Sequence, residues 1–257
     1  MNDNALTIKK KWEDVWAGIR LPAVQKPVHD VQKQLVCYLP GTAGRSFIEI
    51  GCAPGRWMAY FHRQFGYSVS GLEYAEVAAA ATKRNMALLG IEAPVIVQDF
   101  LSFDYAGQFD VVFSAGFIEH FRDVTPVVQR ICRLARGYVV TIVPNCSGIN
   151  GFISRTIRPV VYAEHNPINV PELESMHAKC GLQTLFCDYV GGVRFIMPAA
   201  GNNFFKTHRC LARAANTPVR AFNGLSEAAS RLLHCTLRSA FLSDSLMYVG
   251  THGGRQS

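Results

Sequence analysis

Short apolar runs rich in β-branched residues alternate along this chain with longer segments whose apolar positions recur every three to four residues. The runs predict strands at 46–51, 68–73, 94–98, 109–115, 137–143 and 183–190. The longer segments predict helices at 56–65, 75–89, 124–135 and 171–180. Pro171 opens the last of these, Glu172 and Glu174 lie in its first turn, and Gly181 follows its end. Strands separated by helices predict an α/β fold, a parallel sheet with helices on both faces. Such sheets bind their ligands beyond the carboxyl ends of the strands.

The alternation stops near residue 192. Residues 204–215 then place Phe204, Phe205, His208, Leu211, Ala212 and Ala215 on one helical face. Residues 225–241 repeat the theme with Leu225, Ala228, Ala229, Leu232, Leu233 and Phe241. Two helices are therefore expected before a final strand at Ser245–Gly250. At the front, Trp12 and Trp16 stand four apart on a short helix, either packing on the core or covering a cleft. Segment 155–169 reads as a long irregular loop, a kind that often serves function. The expectation is one domain over 1–257. It has a helical cover at 1–40, a core at 41–192, a helical insertion or lid at 193–243 and the last strand at 244–252.

Composition narrows the setting. Half of the 257 residues are apolar and 18% are charged, so a packed core is expected. No apolar run reaches the length of a membrane span, and no apolar signal core follows the polar start, so a cytoplasmic location is expected. None of the eight cysteines forms a C-x-x-C pair; they read as small residues of a reduced protein. The net charge of +7 is uneven. Residues 194–257 hold eight Lys and Arg against two Asp and Glu, while 34–193 hold twelve against thirteen. The basic quarter is either a solvated face or a surface for an anionic substrate, nucleic acid or membrane.

The stretch Phe47-Ile48-Glu49-Ile50-Gly51-Cys52-Ala53-Pro54-Gly55-Arg56-Trp57 brings in chemistry. A strand, a loop of small residues and a helix start let a ligand approach the backbone. A dinucleotide fingerprint wants G-x-G-x-x-G and a pyrophosphate at the helix start. Here the spacing is G-x-A-x-G, and Glu49 before it would repel a pyrophosphate while suiting a cationic amino group. Glu73-Tyr74 ends the second strand, where a carboxylate can accept ribose hydroxyls. Gln98-Asp99-Phe100 ends the third, offering an acceptor for an adenine amino group and an aromatic wall. Acids at three successive strand ends favour S-adenosylmethionine.

With these residues, the chain resembles the class I S-adenosylmethionine-dependent methyltransferases of small-molecule type. The likeness spans roughly 45–190 plus the last strand and includes Phe109–Phe121 and Gly137–Asn145. It implies a Rossmann-like, seven-stranded, mostly parallel sheet. It also implies cofactor contacts from Glu49, Gly51, Cys52, Ala53, Gly55, Trp57, Glu73, Tyr74, Asp99, Phe100, Ser114 and Gly116. Ala53 stands where the family has glycine, a change of one methyl group.

The acceptor is less legible. His120, after the fourth strand, is the leading candidate base, with His165 and Tyr162 of the long loop as further catalytic candidates; each also has a structural reading. Asn145 either orients an acceptor or caps a turn. Ser114-Ala115-Gly116-Phe117 lacks the Asp/Asn-Pro-Pro-aromatic run of nucleic-acid amino-methyltransferases, and Val139–Val143 lacks the lysine of ribose 2′-O enzymes. A metal-dependent subgroup shows Glu-x-x-Glu-His here; Gly116 replaces the first acid, so no metal is expected. The reading is methyl transfer to oxygen, with nitrogen close behind, on a bulky, partly apolar small molecule. Natural-product, quinone-like and glycan pathways all offer such acceptors. The basic insertion is read as a lid or a peripheral membrane contact. The alternatives are an RNA methyltransferase, disfavoured on these residues, and a non-catalytic cofactor-binding scaffold. The oligomeric state is open.

Overall fold

A computed structural model describes residues 4–26, 28–197 and 208–253. Its strands are β1 (Ser46–Ile50), β2 (Ser68–Glu73), β3 (Val95–Val97), β4 (Phe109–Ala115), β5 (Ala135–Pro144), β6 (Leu182–Val190) and β7 (Ser245–His252). Among the described residues these form one sheet in the order β3-β2-β1-β4-β5-β7-β6. The first five run parallel, and β7 lies antiparallel between β5 and β6. Order reverses between β1 and β4, so a cleft opens at their carboxyl ends.

β1 to β4 carry apolar residues on both faces because helices cover both. α2 (His29–Tyr38), α3 (Arg56–Phe65) and α4 (Glu76–Leu88) pack on one side. There Phe61 is fully buried among Phe47, Phe65, Tyr67 and Phe113. α5 (Thr125–Leu134) and α8 (Val170–Ala178) pack on the other, over Ile48, Ile50 and Val112. Adjacent residues of β1 thus enter opposite cores, as strand alternation requires. Asn169 caps α8: its Oδ1 accepts from Glu172 N–H at 2.9 Å, and Glu172 returns the bond at 3.0 Å.

Two expectations change. Segment 155–169 is not an irregular loop; it holds the end of α6 (Gly148–Ile157) and all of α7 (Pro159–Ala163). Gly148 and Gly151 weaken the helical signal, and Pro159 serves as a first-turn residue.

The insertion departs further. Among the described residues it is one helix, α9 (Arg209–Leu232), which runs through Pro218. The expected second helix ends at Leu232 rather than 241, and His234 follows at φ +50°. Phe204 and Phe205 lie outside the described residues. α9 docks through polar groups. Asn223 exchanges two hydrogen bonds with the Phe195 backbone, and Glu227 accepts from His29 N–H at 2.7 Å. Arg238, beyond its end, pairs with buried Asp30 at 2.8 Å. Leu225 and Leu232 therefore point outward, 72% and 81% exposed.

Candidate active site

The cleft at the strand ends is a cavity of about 660 Å³. Its floor begins where β1 stops. Gly51 adopts φ +71°, and a Cβ there would meet the Phe117 ring at 3.0 Å, so the turn has no room for a side chain. Gly55, at φ +83°, then starts α3. Glu49 reaches this helix rather than the cavity: its Oε2 accepts from Met58 N–H at 3.1 Å. Burial, with the Glu73 charge adding, holds the Glu49 carboxyl well above the usual carboxylate range.

Glu73 and Tyr74 at the end of β2, and Asp99 and Phe100 after β3, line the cavity beside Gly51 and Ala53. Glu73 is buried; its Oε1 accepts from Ala75 N–H at 3.0 Å, and burial raises its pKa. Asp99 Oδ1 accepts from Leu101 N–H at 2.9 Å, which fixes the turn it stands on. Gly116 and Phe117 form the wall after β4, leading to His120.

The remaining expected contacts lie elsewhere. Cys52 is fully buried beneath the loop, and Trp57 packs on Phe113 at 5.2 Å. Ser114 is buried within β4, its hydroxyl unpartnered. None of these, nor Gly55, lines the cavity. Asn145 ties the end of β5 to the insertion, donating to the carbonyls of Ala240 and Ser243 at 2.9 Å each; it does not face the cavity. Among the described residues, none between 193 and 243 lines it.

The N-terminal segment forms the roof instead. Thr7, Ile8, Lys9, Trp12 and Trp16 face the cavity. The segment is held by backbone pairing: Leu6 N–H donates to His120 O at 2.8 Å, and Arg122 N–H donates to Asn4 O at 2.8 Å. Trp12, on α1 (Lys9–Trp16), meets the His120 ring edge-on at 4.9 Å. Lys11 forms an ion pair with Glu164. The Trp12–Trp16 spacing hinted at this cover; the strand-like Asn4–Leu6 pairing left no sequence signal.

Of the three catalytic candidates only His120 lines the cavity. Tyr162 sits on α7, and His165 follows it with its ring 4.7 Å from that of His120. His120 Nδ1 lies 2.9 Å from Glu164 O, and His165 Nδ1 lies 2.6 Å from Val161 O. A carbonyl only accepts, so both Nδ1 atoms carry the proton and both Nε2 atoms present lone pairs. Burial lowers the His120 pKa to about 3 and lowers that of His165. Glu119, not among the expected site residues, is buried beside them. Its Oε1 is 3.8 Å from His120 Nε2, its Oε2 has no partner, and burial raises its pKa to about 8.

The chain is similar to known proteins in sequence and fold. Residues 47–137 match the model of a methyltransferase domain. A ubiquinone biosynthesis O-methyltransferase of Pseudomonas paraeruginosa is 28% identical over 116 residues, covering 43% of this chain. The match spans about half the length of that relative. Among solved structures, the phosphoethanolamine N-methyltransferase 2 of Haemonchus contortus in complex with S-adenosyl-L-methionine superposes with TM-score 0.60 at 16% identity. It covers 95% of this chain and 57% of that one. The [4+2]-cyclase SpnF gives 0.63 at 14% identity, covering 96% of each chain. Such distant likenesses establish the fold and leave the acceptor to the site itself. Over residues 47–137 the chain is thus similar to a methyltransferase domain, and it shares its fold with methyltransferases of solved structure.

Proposed function

We propose that this chain methylates an oxygen of a bulky, partly apolar small molecule, using S-adenosylmethionine. One observation carries the reading: a single cavity joins the bare Gly51–Ala53 turn and the acids Glu73 and Asp99 to Trp12, Trp16 and His120. One end suits the donor and the other an acceptor.

The donor end fits the cofactor. A turn without side chains, beside carboxylates, suits hydroxyls and a cationic group and repels a polyphosphate. Glu73 would accept ribose hydroxyls, Asp99 and Phe100 would hold the adenine, and Gly51 and Ala53 would border the methionine part. When bound, the cofactor supplies an electrophilic methyl group on its sulfonium. The protein aligns the acceptor with that methyl and excludes water. Trp12 and Trp16 provide apolar walls for a flat or branched acceptor, and His120 presents the Nε2 lone pair to its hydroxyl. The O-methyltransferase relative supports oxygen; the N-methyltransferase neighbour keeps nitrogen as the second choice.

The test pairs calorimetry with S-adenosylhomocysteine and a methyl-transfer assay on a panel of phenols, hydroxylated quinones, sugars and amines. Micromolar binding and transfer to a hydroxyl are expected. Failure of S-adenosylhomocysteine to bind would reject the cofactor assignment, and transfer to amines alone would reject oxygen.

The outward stripe of α9 supports contact with an anionic membrane. Leu225, Leu232 and Leu233 are exposed, and Arg213 and Arg220 lie on the same helix. Among the described residues, no helix is long and apolar enough to cross a membrane. Co-sedimentation with phosphatidylglycerol vesicles but not phosphatidylcholine vesicles is expected, and Leu225→Asp with Leu232→Asp should abolish it. Equal failure to bind both lipids would sink this reading.

A further inference from the structure

We propose that Glu119, His120 and His165 form a binding site for a divalent transition-metal ion, open to the acceptor end of the cavity. The ligand atoms on offer, one carboxylate oxygen and two imidazole nitrogens, lie within 4.8 Å of one another. An ion about 2.0–2.2 Å from each would draw them to roughly 3–3.5 Å apart, a contraction that small χ rotations supply.

Three features separate this cluster from a chance grouping. First, each imidazole is oriented from behind. The Nδ1–H of His120 is held by Glu164 O, and that of His165 by Val161 O, so both Nε2 lone pairs are free. A second hydrogen bond that fixes the tautomer is the usual support of a metal-binding histidine. Second, Glu119 is 2% exposed, and its Oε2 has no partner in the protein. A buried carboxylate oxygen left unpaired is costly, and a cation removes that cost. Third, the nearest ammonium group is engaged elsewhere, since Lys11 pairs with Glu164. Arg158 also stands near His165. Its charge also acts on Cys146.

Two nitrogens and one oxygen suit zinc, iron(II), cobalt or manganese over calcium or magnesium. Three protein ligands leave positions free for an oxygen ligand, such as an acceptor hydroxyl. His120 is the ligand that reaches the cavity wall, so the open positions face the acceptor end. With an ion in place, His120 Nε2 is a ligand rather than a base. Residues 116–120 alone argued against a metal, because Gly116 replaces an acid. The fold supplies the third ligand from beyond α7 instead.

The test uses the full chain, stripped with a chelator and titrated with cobalt(II), following the visible d–d absorption, and with zinc(II) by calorimetry. One saturable site is expected. Glu119→Gln and His165→Ala should each weaken binding at least about 100-fold, with His165→Gln checking that any loss is not misfolding. The exposed His208→Ala variant should bind like the parent. No saturable cobalt or zinc binding, or unchanged binding in both ligand variants, would overturn the proposal. S-adenosylhomocysteine affinity, measured on the same samples, separates this result from the cofactor reading: it should survive Glu119→Gln and His165→Ala.

Discussion

Replacing Glu73 by alanine weakens S-adenosylhomocysteine binding by about 1.5–3 kcal/mol, roughly 10- to 150-fold. The carboxylate stands at the end of β2, 6% exposed, and borders the same cavity as Gly51, Ala53 and Asp99. One oxygen is already fixed by Ala75 N–H at 3.0 Å, so the side chain is held in place before any ligand arrives. Two ribose hydroxyls donating to it would make charge-assisted bonds, and truncation would leave both without that acceptor. Glu73→Gln keeps the shape but loses the charge, so it should fall between parent and alanine. Calorimetry on all three, with thermal unfolding as a control for folding, decides the matter. An alanine variant within twofold of the parent would remove Glu73 from the donor site.

Phe61→Ala should lower unfolding free energy by about 3–5 kcal/mol, a large share of what a domain usually has. Phe61 is fully buried on α3, with ring centroids 4.4 Å from Phe47, 5.1 Å from Phe113 and 5.5 Å from Phe65. Deleting it opens a cavity between the sheet and α3, where rigid rings cannot collapse inward. The consequence reaches function, because α3 and β1 hold the Gly51–Gly55 turn between them. Urea titration should show a lower midpoint with an unchanged slope, and Phe61→Leu should lose less. A loss below about 1 kcal/mol would mean the aromatic cluster repacks freely.

Much of the donor half of the site is legible before folding. Gly51, Ala53, Glu73, Asp99 and Gly116 stand at strand ends, and strand ends are read from apolar runs and breakers. Residues that follow the carboxyl ends of β1 to β4 fall in the cleft by geometry, because these strands flank the point where the strand order reverses. Glu49 shows the limit: an acid one residue earlier caps α3 instead, because strand alternation turns it toward that helix. Glu119 and His165 show it more strongly. They are brought together across a chain separation that no local pattern encodes, by hydrogen bonds that join Asn166 and Glu164, beyond α7, to Glu119 and His120.

The insertion makes the same point about direction. Periodicity identifies an apolar stripe on each of residues 204–215 and 225–241, and burial would ordinarily turn such a stripe inward. Here Asn223, Glu227 and Arg238 find partners on Phe195, His29 and Asp30, and the stripe is left outside.

By itself, then, the sequence determined the alternating strands and helices, the bare turn and the strand-end acids, because each follows from neighbours a few residues apart. The tertiary structure decided between core packing and cleft cover for Trp12 and Trp16, placing residues 5–16 over the cavity, and it alone decided that α9 faces outward. It alone joined two histidines and a buried glutamate at the cavity wall that His120 lines. Those outcomes depend on which distant surfaces meet, and long-range pairing leaves no period in the chain.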